Sequence, residues 1–212
     1  MEGGMFDFTR DDNPFQDYSF IYVPLCTADA HIGNATHAYA PGLTIEHKGF
    51  VNGMAALSYL RAQYPDAARL VVVGKTAGAF AAPLYAGLAA DLLPAAQVIV
   101  FGAQSGAFPD DPELNARVIG EQWGAYNSMP DWEVNAGLTA QDWGAQRFWI
   151  QAGLHDPGML LARFDYAFDP HAVEALKYLF PENAGANTLA VIDANEAAIE
   201  AAGVTLHSVT AP

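Results

Sequence analysis

Apolar and polar positions along the chain follow two rhythms. Short uncharged runs rich in β-branched and aromatic residues alternate with longer stretches of helical period. Phe20–Cys26 is the first such run, with Pro24 near its end, and predicts a strand. Between Gly49 and Tyr64, Phe50, Met54 and Leu57 recur at four- and three-residue steps before Pro65, which predicts an amphipathic helix. Leu70–Val73 predicts a second strand, Ala77–Leu93 an Ala-rich helix, and Gln97–Phe101, closed by Gly102, a third strand. Pro83 is expected in or near the first turn of its helix, where a missing N–H costs little. This β-α-β-α-β order dictates a parallel sheet with right-handed crossovers.

Residues 107–158 break the rhythm. Helical pieces are expected at Glu113–Trp123 and Gln141–Gly153, and Trp123, Trp132, Trp143 and Trp149 all fall here. An aromatic-rich insertion between two strands predicts a helical cap over the strand ends, its tryptophans offering faces to a ligand or forming a small core of their own. The sheet is expected to resume at Leu161–Phe168. Helices follow at His171–Tyr178 and Thr188–Ala202, the second with Asp193, Glu196 and Glu200 on its exposed face. Gly203 caps it, and Val204–Thr210 is a last strand. The expected fold is therefore α/β: a single domain over 1–212 with a doubly wound, mostly parallel sheet and a Trp-rich cap at 107–158.

Val71–Phe80 is the informative stretch. A β-branched run ends at Gly74, Lys75-Thr76 follow, and Gly78 opens the helix. This is the strand–sharp turn–helix pattern of a G-x-S-x-G nucleophile elbow, whose glycines let strand and helix backbones approach closely. Thr76 stands where serine is expected. A phosphate-binding loop would need a glycine five residues before Gly74, where Arg69 stands. An ordinary strand-to-helix connection is the remaining structural alternative.

Composition narrows the partners. The 212 residues carry 24 acidic and 9 basic side chains, a net charge of −15, so neither nucleic acid nor an anionic membrane is an expected partner. Apolar residues make up 52% and charged ones only 16%, enough for a sizeable core. No apolar stretch reaches spanning length, and Met1–Gly4 has no signal-peptide pattern. Cys26 is the single cysteine, so no internal disulfide forms, and a buried free thiol is expected.

Elbow chemistry needs an acid after a later strand and a histidine after the last one. Asp169 lies just past a predicted strand end, two strands after the elbow; Asp165 and Asp156 are weaker candidates. His207 lies within the last strand, below the elbow, so the expected general base is missing. Ala77 N–H supplies one oxyanion donor, and a second would have to come from a glycine-rich loop after an earlier strand. Threonine at the elbow must fit a γ-methyl into tight backbone with a restricted χ1, which predicts slow turnover or none. Asp29, His31, His37 and His47 sit in one polar loop. Their spacing matches no metal-ligand template, so no metal or cofactor is expected. Asp29 and His31 are read as substrate hydrogen-bonding groups or as ordinary loop residues.

Gly3–Asp7, Asn13–Phe15, Tyr22–Asn34, His47–Phe50 and Thr76–Ala79 together resemble the pectinacetylesterase/Notum family, specifically through Gly106 and more loosely at Tyr166–Asp169 and Ser208–Pro212. The resemblance implies an α/β-hydrolase-like fold and a carboxylesterase that removes acyl groups, from acylated polysaccharide or another ester, with a Ser-Asp-His triad. It places the nucleophile at Thr76 and the acid at Asp169. It also puts the family's histidine past Pro212 and its Gly-Gly-Gly segment before Met1, so the chain resembles the middle of such an esterase. Family members are usually secreted. Next to Ser105-Gly106, where an acidic residue is usual, this chain has Gln104; Ser105 joins Asp29 and His31 as a candidate substrate contact.

Overall fold

The computed structural model describes residues 4–170, 172–174 and 188–212. A two-stranded antiparallel hairpin, β1 (Ala35–Ala40) and β2 (Leu43–His47), turns at Gly42 with φ +80°. Helix α1 (Gly49–Gln63) follows. Then come β3 (Arg69–Lys75), α2 (Ala77–Leu92), β4 (Gln97–Ala103), α3 (Ala145–His155), β5 (Leu160–Tyr166), α4 (Thr188–Ala201) and β6 (Leu206–Ala211). The four long strands form one parallel sheet in the order β3-β4-β5-β6.

That order decides the layering. Strands added in chain order through right-handed crossovers place every crossover helix on the same face, and a doubly wound sheet requires a reversal of direction. Accordingly α2, α3 and α4 share one face, where Val98, Val100, Trp149, Leu161 and Ile199 form a core. Gly102 admits the Trp149 ring, since a Cβ there would lie 2.6 Å from its Cζ2. Helix α1 packs outside α2 through Leu57 and Leu60. The sheet is thus mixed α/β and wound on one side among the described residues, which corrects the doubly wound expectation. Among the described residues β3 is an edge strand.

Local expectations divide. Helix and strand positions for α1, β3, α2, β4, β5, α4 and β6 agree to within a few residues. Phe20–Cys26, in contrast, forms no strand, and Cys26, expected to be buried, is exposed. The β1–β2 hairpin was not expected from the His-rich loop. Pro83 is the seventh residue of α2, deeper than the first turn. The stretch expected as Glu113–Trp123 is one α-turn, Pro112–Leu114, running into a π-helix at Asn115–Gln122. The later piece becomes a 3₁₀ turn, Ala140–Asp142, and α3. α3 packs on the sheet as a crossover helix, so the irregular Trp-rich region ends near Trp143. Most of the helix expected at 171–178, and the loop after it, lie outside the described residues.

Candidate active site at the strand ends

Thr76 joins β3 to α2 with φ +52° and ψ −110°. A β-branched residue at positive φ is a backbone outlier that its surroundings must hold in place. Its N–H donates to the Ala103 carbonyl at 2.7 Å, and its own carbonyl accepts the Phe80 N–H at 3.1 Å. The Thr76 side chain is exposed. Gly74 allows the bend: a Cβ there would lie 2.1 Å from the Gly78 carbonyl oxygen, whereas a Cβ on Gly78 would meet open space. Close approach therefore requires the first glycine and not the second. The Ala77 N–H opens α2, where first-turn amides have no intrahelical acceptor and carry the positive end of the helix dipole.

β4 ends in a similar bend. Gln104 has φ +61°, its N–H donates to the Phe164 carbonyl at 2.8 Å, and its side-chain amide donates to Asp169 Oδ2 at 2.8 Å. Asp169 is buried three residues past β5, and its carbonyl accepts the Val173 N–H at 3.0 Å. Thr76, Gln104 and Asp169 thus follow the carboxyl ends of three adjacent strands. Parallel α/β sheets gather reactive groups at this end. His207 is exposed on β6 and pairs with Ala162, below that level. Among the described residues no imidazole hydrogen-bonds the Thr76 hydroxyl.

Behind Gln104 lies a buried ionic network. Arg163 and Asp165 alternate in phase on β5, so both side chains point to the helix-covered face. Arg163 Nε lies 2.7 Å from Asp165 Oδ2, off the line a hydrogen bond needs, and Nη2 donates to Glu196 Oε1 at 3.0 Å. Asp165 Oδ1 accepts the Gly106 N–H at 2.8 Å, and Asn195 Nδ2 donates to the Gly106 and Phe108 carbonyls, both at 2.7 Å. The network ties the loop after β4 to β5 and α4. Glu196, expected on a solvent face, is its outer member, with 23% of its side chain exposed. Ser105 beside it is buried, and its hydroxyl has no hydrogen-bond partner among the described residues. An arginine and an aspartate two apart in an apolar strand were the available signal, since a half-buried strand seldom carries charge inward without a partner.

The Asp29 loop is built as a joint. Asp29 is fully buried and accepts from the Thr27 hydroxyl (2.8 Å), the His31 N–H (3.2 Å) and the Gly49 N–H (2.8 Å). The last contact pins its carboxylate at the start of α1, where helix amides lack partners. A Cβ on Gly33 or Gly49 would come within 2.3 Å of that carboxylate. Ala28, Ala30 and His31 all have positive φ, so the loop turns sharply at three residues with side chains. His31 is partly buried. Burial holds its imidazole below the ordinary histidine value, with Asp29 opposing. Tyr85 donates its hydroxyl to the His31 carbonyl, and burial pushes that hydroxyl well above the usual tyrosine range. His47 is buried, with Nδ1 2.9 Å from the Thr27 carbonyl and Nε2 2.8 Å from the Tyr39 hydroxyl. The carbonyl can only accept, so Nδ1 carries a proton. Among the described residues no group of three or more His, Cys, Asp or Glu side chains is placed to hold a metal ion. No helix among them is long and apolar enough to cross a membrane.

The irregular region packs Trp132 and Trp143 into a core with Ile32, Phe80, Leu84 and Phe148. Trp132 stacks on His155 at 4.1 Å and donates to Asp91 at 2.9 Å, so its ring is committed to the fold. Outside it an open cavity of about 560 Å³ is lined by Tyr126, Asn127, Asp131, Glu133 and Trp143, among others. No family model matches the chain, and neither a curated protein nor a solved structure matches it.

Proposed function

We propose that this chain is a carboxylic-ester hydrolase homologue of the carbohydrate O-acetylesterase type, acting on an acylated polysaccharide or another small ester. The observation that carries this reading is the Thr76 backbone: φ +52° at a strand-to-helix junction, hydroxyl exposed, beside a helix N-terminus. The likeness of the Tyr22–Asn34 and Thr76–Ala79 blocks to the pectinacetylesterase/Notum family supports it. In the proposed reaction Thr76 Oγ1 attacks the ester carbonyl, the bond to the alkoxide oxygen breaks, and the threonine proton ends on the leaving alcohol. Water then releases the acyl group. The Ala77 N–H stabilises the oxyanion, and Asp169 is the carboxylate that would orient an imidazole base. With Asp29 and Ser105 buried, direct substrate contact falls to His31, while Asp29 sets the loop that presents it.

A second reading is binding of acetylated polysaccharide without turnover. It is favoured by the absence, among the described residues, of an imidazole on the Thr76 hydroxyl, because an alcohol is a weak nucleophile until a base takes its proton. Hydrolysis of p-nitrophenyl acetate by the wild type, Thr76→Ser and Thr76→Ala separates the two. Esterase function predicts a slow wild-type rate, lost in Thr76→Ala and raised about tenfold or more in Thr76→Ser, where the γ-methyl is gone. Equal background rates in all three would remove the esterase reading. Retained binding of acetylated pectin in that case would leave the second.

A further inference from the structure

We propose that two copies of this chain pair reciprocally, the Phe20–Cys26 run of each adding as a strand to the outer edge of β3 in the other. β3 is seven residues long and stands at the edge of the sheet. Among the described residues, no backbone group from any segment bonds its outer edge. Natural edge strands are shortened, bulged, or broken by proline or charge. β3 carries charge only at its two ends, Arg69 and Lys75, and its Leu70–Val73 centre has neither charge, proline nor bulge.

The same chain carries a strand-forming segment with no ladder. Phe20–Cys26 is also seven residues long, and none of its amides donates to another backbone carbonyl among the described residues. Phe20, Ile21, Tyr22 and Leu25 are all between 38% and 62% exposed. Within one chain the run starts near β3, with the Tyr18 hydroxyl 3.5 Å from Arg69 Nη1, and ends where His47 holds the Thr27 carbonyl. Among the described residues it lays no backbone hydrogen bond on β3 along the way, so the ladder positions of that edge are unfilled.

Charge selects the pairing. Two β3 strands meeting antiparallel about Val72 would set Arg69 against Lys75 at both ends, and like charges opposite one another destabilise a ladder. Phe20–Cys26 carries no charge, so it meets β3 without that penalty. Pro24 has no N–H, which suits a strand bonded along one side only. The exchange is isologous and closes as a dimer. Each copy has a net charge of −15, so the copies repel at long range and salt should strengthen the dimer.

Sedimentation equilibrium over about a hundredfold range of concentration, at low and high salt, tests this together with hydrogen exchange. The expected result is a reversible dimer of the 22.6 kDa chain, tighter at high salt. Amides of both 70–74 and 20–26 should be protected at high concentration and released on dilution. Tyr22→Lys, at the most exposed of the large apolar side chains in the run, should abolish dimer and protection while leaving the circular dichroism spectrum unchanged. Val73→Lys, on β3, serves the same purpose if the first variant misfolds. A monomer at every concentration overturns the proposal. So does a dimer that protects neither segment, or one that both lysine variants leave intact.

Discussion

Leu160 and Leu161 are adjacent in β5 and project from opposite faces of the sheet. Leu161 is 2% exposed beneath the helices, while Leu160 is 38% exposed on the side left bare by the described residues. The whole sheet repeats this contrast. On one face Val98, Val100 and Leu161 pack against α2, α3 and α4. On the other, in register across the strands, Val73 stands beside Phe101, Phe101 beside Ala162, and Phe164 beside Val209. Val73, Phe101, Tyr166 and Val209 are all more than a third exposed there. Both faces are apolar, as a parallel sheet covered on two sides would have them. Apolar pattern states that a residue can be covered; crossover geometry states which ones are.

The most disruptive way to break the covered face is Arg163→Ala. It leaves the Asp165 carboxylate buried at 2% exposure without its cation, and it should cost about 3–5 kcal/mol in urea unfolding. No substitution on the bare face should approach that. A direct comparison of the faces uses the neighbouring leucines. Leu161→Ala is expected to destabilise by about 2–5 kcal/mol and Leu160→Ala by less than about 1 kcal/mol. Equal losses would mean that the second face is covered in solution.

Cover also governs titration, and the smallest effect expected concerns His31. Burial lowers its folded-state pKa below the unfolded value, so the folded form resists protonation. Its contribution is present above the unfolded pKa of about 6.5 and is lost as pH falls from there through the folded value. His31→Gln should therefore flatten the stability profile below about pH 6.5 and leave it nearly unchanged above. A wild-type profile already flat across that range would show His31 to be solvated.

Legibility in the sequence followed how local each signal was. The bend at Thr76 could be read from Gly74 alone, because the close approach it permits is set by backbone four and five residues away. Asp169 could be placed at a strand end by counting strands. The Arg163–Asp165–Glu196 network was invisible as a network: its members join β5 to α4, and one of them looked like a solvent-facing glutamate. Asp29 reads from sequence as a substrate contact or an ordinary loop residue, yet it is fully buried. Its partners Thr27 and His31 are near in sequence, but Gly49 arrives only with α1. Phe20–Cys26 had every local property of a strand and lacks one, because a ladder needs a neighbour that local preference cannot supply.

Periodicity and punctuation alone determined where the strands of the four-stranded sheet and the helices α1, α2 and α4 run, that those four strands are parallel, and where the backbone must bend at Gly74. These are local questions of side-chain period, missing Cβ atoms and chain direction. Tertiary structure alone decided which face of the sheet is dry, which strands end it, and which charged groups are shut inside. Those outcomes depend on right-handed crossovers accumulating in one direction and on residues far apart in the chain arriving at the same place.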